Sequence, residues 1–519
     1  MKGSALKNTR VAALLAALSL VHLTPACGDP PAARPTPARP DAQAKPGPTA
    51  VATATPAAPD LLGPKPDLAQ PRPFTPPAPV VFEAPNGIKV WLLERHTLPI
   101  VSVALALPWG SAADPAGEAG LAHITADMLD EGAGRRDALQ ISSAINDLGA
   151  SLGLGVRSDG SFASLTVLKK NFTPAFAILS DVIVRPRFDT KEWARVSELW
   201  QNGLKKRGDD PAQVARVASG AALYGPGSPY GHPTDGTLES AQKIKIGDVK
   251  AFYKSAWRPD RAVLVVVGDI TRDEILQAIN REMKDWKAPK EPPPPEVTQA
   301  SAAGWKRPRL VLVDRPGAPQ SVIMVVREGV SASDRRAPLL GLINTALGGS
   351  FTSRLNQNLR EEHGWSYGAA SAFTESRSPG AFVARASVVT EATGPALKEM
   401  LGELAKMADS GLTQDEFAKV RAQDRADLVQ TYETTGGTAQ RMAVLALLGL
   451  PATFDAAATE ARQKATLARL AELSAAVDPK TATVVVVGPR DKVVPQLDAL
   501  KLGEPQLWDV EGRPVQAKK

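Results

Sequence analysis

Cysteine is nearly missing from this chain: one of 519 residues, Cys27. A lone cysteine excludes an intrachain disulfide framework. Basic runs are missing too. The net charge of +6 includes Lys2, Lys7 and Arg10 at the extreme N-terminus, a balance too mild for a nucleic-acid partner. No Gly-x-Gly-x-x-Gly turn follows a strand, which argues against a dinucleotide-binding sheet. The one leading apolar stretch, Val11 to Leu23, is too short to span a bilayer as a mature helix. What is present is ordinary for a globular protein: 43% hydrophobic and 22% charged residues, in a chain long enough for two or more cores.

The N-terminus has the layout of a secretory leader, with Lys2, Lys7 and Arg10 ahead of the apolar stretch. Cys27 follows in Leu23-Thr24-Pro25-Ala26-Cys27, which resembles a bacterial lipoprotein cleavage box, with Thr24-Pro25 departing from the usual leucine. Residues 1–27 are therefore expected to be a lipoprotein-type signal, with Cys27 lipidated and the protein held at the bacterial cell envelope, on the periplasmic side or the outer membrane. An ordinary cleavage site that happens to contain a cysteine is the alternative. Residues 28–79 are rich in Pro, Ala and Thr, cannot bury enough surface to fold, and read as a disordered tether.

Beyond the tether, residues 80–290 and 305–519 carry matching strands in matching order, joined by a proline-rich linker, 291–304. In the first half the expected strands are Val80-Val81-Phe82, Ile88 to Leu93, Ile100 to Leu107, a hairpin around Ser158-Asp159-Gly160, and Ala262 to Val267 closed by Gly268-Asp269. In the second they are Leu310 to Val313, Ser321 to Arg327, Phe382 to Val389, and Thr483 to Val487 closed by Gly488-Pro489. Helices are expected over Gly120–Glu131, Ala138–Leu148, Pro174–Val184, Lys191–Lys206, Ala337–Leu347, Ser353–Glu361, Gly394–Asp409 and Thr413–Gln430. The pattern predicts two related, duplicated α+β domains.

The segment Gly120-Leu121-Ala122-His123-Ile124-Thr125-Ala126-Asp127-Met128-Leu129-Asp130-Glu131-Gly132 resembles the zinc helix of the pitrilysin/insulinase peptidases, His-x-x-Glu-His. In the intact motif two histidines at i and i+4 share a helix face and hold zinc, while the glutamate activates its water. Here His123 remains, Ala126 stands at the base and Asp127 at the second histidine. In the register set by Asp209-Asp210-Pro211, the family's third ligand falls on Gly203, and Glu198 is more than a turn away. Arg185-Pro186-Arg187-Phe188, Ser228-Pro229-Tyr230-Gly231-His232-Pro233 and Trp257-Arg258-Pro259-Asp260 extend the resemblance. It implies no catalytic residue and no zinc in this chain. One alternative is a metal site rebuilt from His123, Asp127 and Asp130 or Glu131 along one helical face.

In the second half, Leu347-Gly348-Gly349-Ser350-Phe351-Thr352-Ser353-Arg354-Leu355 leads into Asn358-Leu359-Arg360-Glu361-Glu362-His363-Gly364-Trp365-Ser366-Tyr367-Gly368, similar to the family's C-terminal signature. There the resemblance implies that Arg360 and Tyr367 reach substrate backbone near a zinc, since a guanidinium and a phenol can hold a peptide carbonyl. Pairing of Arg360 with nearby carboxylates and packing of Tyr367 is the bland alternative. Some family members work as two chains, one with zinc and the other with the arginine and tyrosine. That pattern implies a non-catalytic partner of a zinc-bearing subunit, with a peptide substrate and the membrane as further partners. The alternatives are a peptide-binding scaffold lipoprotein using a sheet edge, and an active metallopeptidase with a changed site.

Overall fold

The computed structural model describes residues 74–295, 297 and 301–515. Cys27, the leader and most of the tether lie outside the described residues. The tether's last part, 74–79, lies within them: Phe74 packs on the Tyr432 ring at 6.3 Å, so the folded body takes in residues the composition had assigned to the tether.

Twelve strands build two six-stranded sheets. The N-terminal half supplies β1 (Val80–Glu83), β2 (Lys89–Glu94), β3 (Ile100–Leu107), β4 (Ser151–Arg157), β5 (Gly160–Leu168) and β6 (Val263–Gly268). The C-terminal half supplies β7 (Leu310–Asp314), β8 (Gln320–Glu328), β9 (Ser366–Phe373), β10 (Ala381–Val389), β11 (Thr483–Gly488) and β12 (Gln506–Trp508). The orders are β1-β2-β6-β3-β5-β4 and β12-β7-β11-β8-β10-β9. In each, a parallel pair (β2 with β6, β7 with β11) lies beside an antiparallel run of three strands; at the far edge β1 pairs antiparallel with β2, whereas β12 pairs parallel with β7. The duplicated α+β expectation holds.

The central strands are continuous apolar runs because both faces are covered. Along β6, Leu264 and Val266 face the core of their own half. Val265 and Val267 face the helix Thr435–Leu447, which comes from the other half. The exchange is reciprocal: Val485 and Val487 of β11 and Val311 and Val313 of β7 pack against the helix Pro211–Tyr224 of the N-terminal half. Each fully buried Val or Leu here contributes about 1.5–3 kcal/mol. Ala215, Ala218, Ala221 and Ala222 let the second helix lie close to its sheet. Asp210 caps it, accepting from Ala212 N at 2.8 Å, and Pro211 occupies the first turn where its missing N–H costs nothing.

A clasp joins the halves at their hairpin tips. The Arg377 side chain donates to Pro108 O at 3.1 Å and to Leu447 O at 2.9 Å, the C-terminal end of the exchanged helix. Arg377 N donates to Asp159 Oδ2 at 3.2 Å, and Tyr230 donates to the other oxygen of the same carboxylate. The proline-rich connection is tied down on the N-terminal half, with Trp109 Nε1 donating to Pro294 O at 3.1 Å and Arg258 Nη1 to Glu291 O at 2.8 Å.

Candidate functional site

His123 sits on a short helix, Leu121–Asp127. Its start is set by Asp114, whose carboxylate accepts from Gly120 N at 2.7 Å and Ala122 N at 2.8 Å. Gly120 has φ +92, and a Cβ there would fall 2.7 Å from the Trp200 ring, so only glycine fits this helix entry. Ala126 is fully buried and presents no proton acceptor. His123 Nε2 lies 3.4 Å from Asp127 Oδ2, about the spacing of two ligands on a tetrahedral zinc with bonds near 2.0–2.1 Å. Asp127 reaches solvent but is walled by protein. Burial raises its carboxyl above the ordinary range, against the pull of His123.

The helix stops four residues short of the expected Glu131, which undoes the rebuilt metal site. With the last turn at Asp127, neither Asp130 nor Glu131 continues the His123–Asp127 face. Glu131 is paired with Arg195 instead. Burial first, and then the Glu131 charge, push Asp130 up to about 6. Among the described residues no three His, Cys, Asp or Glu side chains are grouped to hold a metal. Gly203 lies exposed on the helix Thr190–Arg207, and a Cβ there would meet nothing within 4 Å. A zinc site needs three protein donors. This chain brings two together, so the residues present do not fit the ion.

In the C-terminal half, Arg360 lies on the Gln357–Glu362 segment, which is wound more loosely than the α-helix expected over Ser353–Glu361. Its guanidinium lies 4.7 Å over the Phe351 ring and 3.3 Å from Glu361. Tyr367, on β9, is 90% exposed and makes no hydrogen bond among the described residues, so nothing in the fold accounts for it. Between them the chain turns at Gly364, φ +63, and the exposed His363 ring stacks on Trp365 at 4.1 Å. Arg360 and Tyr367 thus flank one turn. No hydrogen bond or ion pair joins either to the His123 helix among the described residues. Of the other histidines, His96 is exposed and bonded to Asp269 at 2.7 Å, while burial lowers the pKa of His232 beside Pro233 O.

The two equivalent sheet edges differ, which sequence reading missed. On β9 the outward-facing Ala369 N donates to Asn356 Oδ1 at 3.2 Å, and Ser371 O accepts from Asn344 Nδ2 at 2.9 Å. On β4 the register turns the N–H and C=O of Leu152, Leu154 and Val156 away from β5, and no described side chain bonds to them. One edge is sealed by two asparagines and the other is open.

Comparison with known proteins agrees with this geometry. Residues 89–220 match the Insulinase (Peptidase family M16) domain, and residues 243–423 match the Peptidase M16 inactive domain. An uncharacterized zinc protease of Mycobacterium leprae is 26% identical over 69% of this chain and 80% of its own length. One of Streptomyces coelicolor is 24% identical over 69% and 78%. A non-peptidase homolog of Helicobacter pylori is 24% identical over 53% of this chain and 62% of its own. Among solved structures, the M16 inactive domain protein of Pseudomonas fluorescens superposes with a TM-score of 0.72 at 24% identity, covering 79% of this chain and 98% of that one. A two-domain α+β chain of M16 type is defined on both grounds. The chain belongs to the insulinase family of peptidases, family M16.

Proposed function

We propose that this protein is a non-catalytic partner of a zinc-bearing peptidase of its own family, closing the substrate chamber and offering Arg360 and Tyr367 to the peptide. The observation that carries this reading is the asymmetry between the sites. The base and two ligand positions hold Ala126, Asp127 and Gly203, while Arg360 and Tyr367 are kept and Tyr367 stands 90% exposed, its hydroxyl bonded to nothing among the described residues. A phenol held in water by no internal contact is available for a ligand. Zinc then belongs to the partner chain. The leader and Cys27 support anchoring at the bacterial envelope; among the described residues no helix is long and apolar enough to cross a membrane.

The test is to purify the chain with the zinc-bearing family member encoded nearest to it and measure assembly and turnover on the same samples. Arg360→Ala and Tyr367→Phe should leave the complex intact and lower turnover. Loss of one donor to a developing oxyanion costs about 3 kcal/mol, roughly a hundredfold in rate. Weaker assembly with unchanged turnover would reduce both residues to structural roles.

The open β4 edge favours a second reading, a peptide-binding scaffold without hydrolysis. An extended peptide can add a strand there, pairing with Leu152, Leu154 and Val156, while the sealed β9 edge takes none. Saturable binding of unfolded peptide by the chain alone, with no zinc-bearing partner found in pull-down, would select this reading.

A further inference from the structure

Just past the His123 helix the chain builds a second concave site. A cavity of about 810 Å3 is lined by Gly134, Arg135, Arg136, Gln140, Asp181 and Arg185. Its floor is a tight loop, bent by Gly132 at φ +136 and Gly134 at φ +54. The loop is pinned by Gly134 N donating to Arg185 O at 2.9 Å and Arg187 N to Gly132 O at 2.8 Å. A Cβ on Gly134 would fall 2.6 Å from the Asp181 carboxyl carbon, so the backbone can come this close only as glycine.

The charge in this cavity is unbalanced. Asp181 is the only carboxylate in the lining and is shared, taking Arg136 Nη1 at 3.2 Å on one oxygen and Arg185 Nε at 2.7 Å on the other. Arg135 is exposed and has no hydrogen bond or ion pair among the described residues. The next acid along the loop, Asp137, is occupied as a helix cap, accepting from Gln140 N at 2.8 Å. Two guanidiniums, Arg136 and Arg185, therefore share one carboxylate, and Arg135 adds a third cation to the lining. In the first turn of the adjoining helix, Ala138–Asp147, Leu139 stands 83% exposed beside the cationic lining.

We propose that this cavity binds the phosphate group of a phosphate ester. Planar guanidinium forks match the oxygens of a phosphate, and an excess of cationic charge suits a group carrying one or two negative charges. The concavity is open to solvent and wider than a bare ion, which leaves room for the rest of an ester. The same chemistry is presented by a soluble phosphomonoester and by an anionic phospholipid headgroup, for which Leu139 would meet the acyl region. This site is independent of the peptidase-partner reading and stands or falls without it.

The experiment titrates glycerol 3-phosphate and inorganic phosphate into the full chain at fixed ionic strength, by calorimetry. Arg135→Gln is the chosen variant because the Arg135 side chain bonds to nothing among the described residues and its loss leaves the bonds that pin the loop in place. Removing one charged donor costs about 1.5–3 kcal/mol, so affinity should fall about tenfold or more, with Arg135→Lys between the two. Vesicles of phosphatidylcholine with and without phosphatidylglycerol distinguish the sources. Preference for phosphatidylglycerol that is lost in both Arg135→Gln and Leu139→Ser assigns a headgroup. Arg135-dependent binding of glycerol 3-phosphate without that preference assigns a soluble ester. Absence of saturable binding to any of these probes, or equal affinity in Arg135→Gln, overturns the proposal.

Discussion

At the scale of single residues, the former zinc helix is a half-kept site. His123 and Asp127 stand 3.4 Å apart, at ligand spacing, and the resemblance to the family puts the missing donor at one position, Gly203. Its environment is permissive, since an added side chain there meets nothing within 4 Å. Gly203→Glu is therefore expected to fold and to gain a metal site of about one zinc per chain, read by metal analysis after dialysis, with the gain lost on adding His123→Ala. Ala126→Glu alone should gain nothing, because a base without a metal-bound water has nothing to deprotonate. Asp130, pushed up to about 6 by burial, gives a sign-definite effect of pH. Its folded pKa lies above the unfolded value near 4, so the folded state binds the proton more tightly. Its stabilising contribution is complete below about pH 4 and lost as pH rises through about 6. Thermal unfolding across that window should be less pH-dependent in Asp130→Asn than in the parent.

At the scale of elements, the two helices that reach across between the halves are among those the sequence pattern left unassigned. Pro211–Tyr224 and Thr435–Leu447 are rich in alanine, glycine and aliphatics, and neither shows a clean polar face with a 3.6-residue period. A helix covered on most sides carries little amphipathic signal. The strands they cover were legible, because a short run such as Val263 to Val267 between turn residues reads as a strand buried on both faces. What covers the second face was not. Met442 of Thr435–Leu447 is fully buried against the N-terminal sheet. Met442→Ala should destabilise the whole protein by about 2–5 kcal/mol in urea unfolding, with a single transition reporting both halves.

At the scale of the molecule, residues 80–290 and 305–519 look separable along the chain, yet the described residues of both fall in one compact unit. Cutting the chain at the proline-rich connection would strip each sheet of its second cover. It would also break the Arg377 bonds to the hairpin tip at Asp159 and to Pro108 O. Either half expressed alone is expected to be insoluble or to bind hydrophobic dyes, whereas the two co-expressed should reassemble into one species by gel filtration. Independent, monodisperse folding of residues 80–290 would show that the exchanged helices are accessory.

The degenerate zinc positions and the signature holding Arg360 and Tyr367 are what the resemblance to the family implies. The sequence by itself determined the duplication and most of the strands along the chain, which follow from local pattern and spacing and survive without knowledge of what packs where. Only the tertiary structure decided where the zinc helix ends, which sheet edge is open, which helix covers which sheet, and that Arg136 and Arg185 share one carboxylate beside Arg135. Glu131 looked like a continuation of the His123 face until the chain turned at Asp127 and Arg195 took it up. Asn344 and Asn356 look like ordinary polar residues until β9 is laid beside them. Partners such as these lie far apart along the chain or depend on one turn ending early, and no local period records either.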